Sequence, residues 1–270
     1  MRRWRRKWPY VLGVSLLALT RPVPPTITEC ELTHLEREPI SFDRAARQHE
    51  EYEAALRTLG CTVTRIAGAP EHPDSVFIED AAIVLDECAV ITRPGAESRR
   101  GETEAVANAL DAYRPLLRIT APETLDGGDV LRVGCRLWVG LSSRSTAGGA
   151  KQLGGFLKRF GYRVDTADVR DCLHLKTAVS ALPDGRLLLN PRMVDSWTLD
   201  AASPIEVDPA EPFAGNVLCV GDTVLCPASA PLTRARLDAQ GYKTAAVDAS
   251  ELAKAEGGLT CCSLVFNTSA

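Results

Sequence analysis

Val130-Leu-Arg-Val-Gly-Cys-Arg-Leu-Trp-Val-Gly-Leu141 holds two short apolar runs, residues 130–133 and 137–141, around the turn Gly134-Cys135, and reads as a β-hairpin. Residues 148–160 follow, with Leu153, Phe156, Leu157 and Phe160 three or four apart, which predicts an amphipathic helix. Residues 162–166 then read as a third strand. This order of strand, strand, helix, strand recurs along the chain. Residues 75–85 and 88–92 read as a hairpin around Asp86-Glu87, with a helix at 102–113 and a strand at 116–120. Residues 177–182 and 187–189 flank Asp184-Gly185, the strongest turn signal in the chain, and a shorter helix and strand follow. Residues 217–220 and 224–226 flank Gly221-Asp222, with a helix at 232–240 and a strand at 243–247. Near the start, Asp43 reads as the N-cap of a helix with Ala45, His49, Tyr52, Leu56 and Leu59 inward and Gly60 at its end, leading into a strand at 61–66. Its unit takes one strand from residues 14–20 and its last from 260–266. About five such units, each roughly 40–50 residues long, are the signature of a propeller or array. Closing the ring with both chain ends removes the open sheet edge and leaves a central channel lined by loops.

The 270 residues with 45% hydrophobic content suffice for one substantial core. A net charge of -4, with Lys and Arg spread evenly beyond the first seven residues, gives no footprint for nucleic acid. Nine cysteines, an odd number with no CxxC and no zinc-type Cys/His spacing, point to a reduced, cytoplasmic protein. The start is ambiguous. Met1 to Trp8 carries five Arg or Lys, and residues 11–19 form an apolar run, so the two imitate a signal peptide. The run is too short for a membrane span, and Ala18-Leu-Thr20 is a poor cleavage site. The preferred reading is a first strand at 14–20, an extension at 1–13 and a single domain over 14–270; export is the alternative.

Four stretches could carry chemistry. Asp74 and the pair Glu79-Asp80 bracket Ser75-Val-Phe-Ile78. If that segment is a strand, Asp74 and Asp80 face the same side and make a cradle for a cation, above all a guanidinium; the plainer alternative is solvated loop acids. Asp80 would then meet a cation supplied only by the substrate. Asp126-Gly-Gly-Asp129 is explained by turn chemistry alone. His174, in Cys172-Leu-His-Leu-Lys176, is one of four histidines and the best acid/base partner for a thiol. That thiol is Cys261, in Glu256-Gly-Gly-Leu-Thr-Cys-Cys-Ser-Leu-Val-Phe266, where a Gly pair runs into an apolar strand. Taken alone, Cys261 and Cys262 would be ordinary buried cysteines. On a strand they face opposite ways, so only one reaches the channel.

Together these stretches resemble the dimethylarginine dimethylaminohydrolase family of guanidine-modifying enzymes. The resemblance rests on Asp74-Ser-Val-Phe-Ile-Glu-Asp80, Thr92-Arg-Pro-Gly-Ala-Glu-Ser-Arg-Arg100, Leu125-Asp-Gly-Gly-Asp-Val130, Val139-Gly-Leu-Ser-Ser-Arg144, Leu173-His-Leu-Lys176 and Gly258-Leu-Thr-Cys-Cys-Ser263, in family order over residues 20–266. It implies a fivefold pseudosymmetric α/β-propeller, the pentein fold, and hydrolysis of methylated arginine to citrulline. It implies Cys261 as nucleophile, His174 as general acid/base and Asp126 as the carboxylate orienting it. Asp74, Glu79 and Asp80 would hold the substrate guanidinium, Arg99 and Arg144 its carboxylate, and Leu32 and Ala255 its amino-acid end through their backbones. No metal or organic cofactor is implied, and zinc at Cys261 and His174 would inhibit. The partner is a small methylated arginine, on a monomer or homodimer. Two features depart from the family pattern: Glu256 stands where family members often have Asp, and the basic start has no counterpart. The rivals are an arginine deiminase or amidinotransferase, which typically carries Asp two residues after the His where this chain has Lys176, and a non-catalytic arginine-binding or redox-sensing protein.

Overall fold

A computed structural model describes residues 15–201 and 203–268, and the described residues form five three-stranded sheets. In the first, β1 (Ser15–Thr20) lies parallel to β2 (Cys61–Arg65). In the second, β3 (Ala82–Val84) pairs antiparallel with β4 (Ala89–Ile91), and β4 parallel with β5 (Leu116–Arg118). The third repeats this with β6 (Val130–Val133), β7 (Arg136–Leu141) and β8 (Arg163–Asp168). The fourth uses β9 (Val179–Ala181), β10 (Leu187–Leu189) and β11 (Ile205–Glu206). The fifth uses β12 (Leu218–Val220), β13 (Thr223–Pro227) and β14 (Lys243–Val247). Finally β15 (Leu264–Thr268) pairs antiparallel with β1, from Leu19 opposite Leu264 to Ser15 opposite Thr268, so the chain's far end completes its first sheet.

A tight turn can reverse a strand, whereas a parallel neighbour needs a crossover. Gly134, Gly185 and Gly221 make three of the reversals at positive φ. The crossovers carry α1 (Phe42–Thr58), α2 (Thr103–Asp111), α3 (Ala147–Leu157) and, after the single-turn α4 (Leu175–Ala178), α5 (Pro231–Ala239). A last single turn, α6 (Ser250–Ala253), follows β14.

Alternation along each middle strand divides its side chains between two neighbours. Leu17 and Leu19 pack with Ile91 of β4 and Val106 of α2, while Ala18 between them packs with Tyr52 of α1 and Leu225 of β13. Val90 joins Leu137 and Leu153, Trp138 joins Leu187 and Leu189, and Leu188 joins Val224 and Leu237. Each core thus lies between two adjacent sheets, and the fifth core returns to the first. This is the fivefold α/β-propeller.

The structure corrects several boundaries. The cap of α1 is Ser41, whose hydroxyl accepts the Arg44 N–H, and Asp43 sits in the first turn. Among the described residues no helix fills the crossover between β10 and β11; turns and bends occupy most of residues 191–200, where Pro191 and the left-handed Asp200 (φ 50°) break the pattern. Residues 75–81 are not a strand but turns and a 3-10 turn, Ile78–Ala81, and only Ala82–Val84 pairs. Residues 260–262 are likewise a 3-10 turn ahead of β15. Both segments are buried almost throughout, so their apolar runs carried no alternation to separate strand from turn. The extension at residues 1–13 and the start of the strand placed at residue 14 lie outside the described residues.

The central place of β1 gives a test. Deleting residues 1–20 removes the shared partner of β2 and β15 and is expected to send the protein to the insoluble fraction. Soluble yield and circular dichroism check this; a soluble, native-like truncation would contradict the strand's central role.

Candidate active site

The segments that resisted assignment as strands meet at the propeller axis. Ile78–Ala81 precedes β3, Gly127–Asp129 precedes β6, α4 precedes β9 and Thr260–Cys262 precedes β15, the same place in four of the five units. In the remaining unit Asn216 stands two residues before β12. Gly128 lets two of these turns touch: a Cβ there would lie 2.7 Å from Asp80 Oδ1 and 2.6 Å from His174 Nδ1.

Cys261 lies in the Thr260–Cys262 turn and is half-buried, while Cys262 is buried, its Sγ directed to Gly258 O. Gly258 N–H donates to Cys261 Sγ at 3.3 Å. Burial, then the facing Glu79 and Asp80 carboxylates, push the Cys261 thiol up to about 12, so it rests protonated. His174 begins α4 on extended backbone, with Nε2 3.1 Å from Asp126 Oδ2 and Nδ1 3.8 Å from Asp80 Oδ1. Burial works against its charge, but Asp80, Asp129 and Asp126 outweigh it and raise His174 to about 9, an imidazolium at neutral pH. Asp126 is fully buried, its other oxygen accepting Gly95 N–H at 2.8 Å. Asp129 accepts Leu175 N–H at 2.9 Å and the Ser142 hydroxyl at 2.6 Å, and burial lifts it to about 6.

Asp80 is not a carboxylate waiting for a substrate cation. Its Oδ2 meets Arg99 Nη1 at 2.6 Å and its Oδ1 accepts Gly128 N–H at 2.9 Å. Burial opposes its charge, yet His174 and Arg99 hold it near about 2. Arg99 also spends Nε and Nη2 on Glu102, and Nη2 on the carbonyls of Asp74 and Phe77. Its nitrogens are thus committed inside the protein, which departs from its expected role on a substrate carboxylate. Glu79 is likewise engaged, by the Lys176 ammonium and by the Thr260 hydroxyl at 2.6 Å. A carboxylate that deeply buried needs such partners. Asp74, lifted to about 6 by burial, accepts Glu31 N–H at 3.1 Å.

Asp74, Asp80, Arg99, Arg144, His174, Ala255 and Cys261 line one pocket, together with Phe77 and Glu256. The free space in it is about 10 Å³, little more than one water. Leu32 stands outside; its neighbour Glu31 lines the pocket while Leu32 packs against the core beside Ala255. The Arg144 guanidinium hydrogen-bonds, among the described residues, only the Thr33 hydroxyl, at 3.2 Å. Asp80, Asp126 and His174 could each offer a ligand atom within 4.8 Å of the others, the spacing of a metal site. Here the cation between the carboxylates is the His174 proton, with Arg99 beside it. Sequence reasoning passed over Asn216, Thr260 and Gly258 N–H; only the place of Asn216 in the repeat could have pointed to it.

A neutral thiol, an imidazolium fixed by a carboxylate, acids at one end and an unpaired arginine at the other suit attack on a cationic carbon in a molecule that also carries an anion. No family model matches the chain. It is 40% identical over 252 residues to the N(G),N(G)-dimethylarginine dimethylaminohydrolase of Streptomyces coelicolor, covering 93% of this chain and 96% of that one. It is 37% identical over 227 residues to the Pseudomonas aeruginosa enzyme of the same name, covering 83% and 89%. Among solved structures, a cysteine-to-serine mutant of the Pseudomonas aeruginosa protein complexed with citrulline superposes with a TM-score of 0.85 at 34% identity, over 92% of this chain and 98% of that one.

Two outcomes follow from the site's electrostatics. Asp80→Asn removes one partner of a buried ion pair and is expected to lower stability by about 3 kcal/mol as well as activity, measured by urea unfolding. Since thiolate forms only as pH approaches about 12, alkylation of Cys261 by iodoacetamide should climb without a plateau from pH 7 to 10, read by peptide mapping. A plateau near pH 8 would contradict the neutral resting thiol.

Proposed function

The chain belongs to the dimethylarginine dimethylaminohydrolase family, and from that premise we infer that it hydrolyses N-omega-methylated arginine to citrulline and dimethylamine or methylamine, with Cys261 as nucleophile. The observation that carries this is one pocket holding the half-buried Cys261 thiol, the imidazolium of His174 on Asp126, and the Asp74 and Asp80 carboxylates.

The mechanism follows from their charges. A resonance-stabilised guanidinium resists water, so a strong nucleophile must be held against its central carbon. The substrate's positive charge beside Sγ favours the thiolate, whose proton leaves to solvent, and attack forms the C–S bond. The C–N bond to the methylated nitrogen then breaks as His174 gives that nitrogen its proton, leaving a covalent thiouronium. Water attacks the same carbon, the now neutral His174 takes its proton, the C–S bond breaks and citrulline is released. Asp126 holds the imidazole and stabilises its charged form at both proton transfers.

Asp74 and Asp80 face the guanidinium in this reading, with Glu79 acting behind them through its pair with Lys176. Arg144 takes the substrate carboxylate, and Arg99 fixes the charge and orientation of Asp80. Ala255 and the backbone beside Leu32 meet the amino-acid end. Lys176 supports a dimethylargininase over an arginine deiminase, because its ammonium neutralises Glu79 where a second aspartate would add negative charge. No resident metal or organic cofactor enters the scheme. We take residues 14–270 as one catalytic domain, a monomer or homodimer acting on a small molecule. We place it in the cytoplasm: all nine cysteines are free, and cleavage before Arg21 would remove β1 from its sheet. No helix among the described residues is long and apolar enough to cross a membrane.

The test is citrulline release from arginine, monomethylarginine and asymmetric dimethylarginine. Turnover of the methylated substrates ahead of arginine is expected; preference for arginine would favour a deiminase, and no turnover a binding protein. Cys261→Ser should lower the rate by at least about a thousandfold, while Cys262→Ser, buried and turned away from the pocket, should keep it within about tenfold.

A further inference from the structure

The chemistry just described gives Glu256 no part, yet its side chain is committed to a single loop. Its Oε2 accepts Thr33 N–H at 3.0 Å, and its Oε1 accepts both His34 N–H and Leu35 N–H, the latter at 2.7 Å. Its backbone is left-handed, with φ 57°, a conformation that a residue with a long side chain avoids unless its surroundings impose it. The surroundings do. A Cβ on the next residue, Gly257, would lie 2.1 Å from the Phe77 ring, and Gly258 N–H is bonded to the Cys261 thiol. Glu256 is therefore fixed at the nucleophile's end and reaches across to residues 33–35.

The segment it holds, residues 33–35, has few other ties. Residues 31–39 contain no helix or strand and are mostly exposed. The other ties of residues 31–39 are mostly polar: Glu31 N–H to Asp74 at 3.1 Å, the Ser98 hydroxyl to Glu31 at 2.7 Å, Arg144 to the Thr33 hydroxyl at 3.2 Å, Arg37 to the carbonyls of Thr28 and Cys30 at 2.6 Å each, and Lys254 to the Pro39 carbonyl at 3.0 Å, with Leu32 packed against the core. Behind the loop, His34 and Leu35 border a second cavity of about 300 Å³, so no packed core backs them on that side. Few apolar contacts and a polar attachment are the marks of a segment that opens locally.

We propose that Glu256 is a positioning residue: by gathering the amides of Thr33, His34 and Leu35 it keeps residues 31–35 across the pocket, so that the substrate's amino-acid end meets an ordered wall. This rests on reading the pocket as a methylarginine site. Without the carboxylate the loop is closed for only a fraction of the time, and apparent affinity falls by that fraction. Once substrate is bound under a closed loop, Cys261, His174 and Asp126 are unchanged, so the chemical steps keep their rate.

The experiment combines kinetics on dimethylarginine with amide hydrogen exchange on the full-length protein. Glu256→Ala should raise KM at least about tenfold with kcat within about threefold, and the amides of residues 33–35 should exchange at least about tenfold faster while those of β15 do not change. Glu256→Gln keeps one acceptor oxygen for His34 and Leu35 but turns an amine toward Thr33, and should fall between Ala and wild type in both readouts. A fall in kcat at constant KM, or amides at 33–35 as protected in Glu256→Ala as in wild type, overturns the proposal. A wild-type protein that turns over no methylarginine overturns the functional reading instead, and the exchange measurement still decides the role of Glu256.

Discussion

The carboxylate of Asp80 accepts the Gly128 N–H at 2.9 Å, and that bond is one link in a circuit that closes around the propeller axis. Asp129 accepts Leu175 N–H, and Asp126 meets His174, joining the third unit to the fourth. Asn216 donates to the Lys176 carbonyl and to the Thr260 hydroxyl and accepts Thr260 N–H, carrying the circuit through the fifth unit to the first. The Thr260 hydroxyl then donates to Glu79, one residue before Asp80. The three-stranded sheets each share a core with the next, so no unit buries its apolar faces alone. Their turns bring backbone amides into an interior where each needs a partner, and the side chains of neighbouring units supply them. The links that close the fold are therefore made by the same residues that set the chemistry.

That overlap explains how so many charges stay buried. Arg99 balances Asp80 and Glu102, Lys176 balances Glu79, and the His174 proton balances Asp126 and Asp129. Each of these charges is hydrogen-bonded and lies against an opposite charge, the condition under which burial is tolerated, whereas the buried Arg21 guanidinium reaches the Glu102 carbonyl through Nη2 alone among the described residues. Cys261 does not share in this compensation. Its thiol faces the negative side of the network and stays protonated, so the free site is quiet toward adventitious electrophiles. In the proposed reaction a guanidinium is both the substrate and the charge that releases the Cys261 thiolate.

The hairpins, crossover helices and fivefold closure were legible in the sequence because glycine turns and period-2 or period-3.6 apolar patterns act locally. The axial turns were not. Residues 75–81 and 260–262 read as strands because full burial erases the pattern that distinguishes a strand from a tight turn. The divergence of Cys261 from Cys262 was expected from strand alternation; a 3-10 turn entering a strand produces it instead. The motifs pointed to Cys261, His174 and Asp126 without regard to local conformation, and the structure brings the three to one place. Arg99 and Glu79 are engaged inside the protein by Asp80, 19 residues from Arg99 across the turns of one unit, and by Lys176 from another unit, pairings that no local pattern in the sequence displays.

Cys261 sits where the first and last described strands meet. Cys261 belongs to the turn entering β15, and β15 pairs with β1 through contacts as remote in sequence as Ser15 with Thr268, separated by 253 residues. Such pairings carry the largest loop-closure entropy and form late unless other structure has already brought the ends together. Here the intervening units do so, each core packing against the next until the fifth, through Leu225 and Val247, offers its free face to Ala18 and Tyr52. Tyr52 also exchanges a 2.6 Å hydrogen bond with Ser263, two residues beyond the nucleophile. Gly258 N–H reaches Cys261 Sγ within one local turn, whereas Glu79 and Asp80 face the thiol across the contact between the first two units. The reactive centre is thus built from segments that the closed ring brings together.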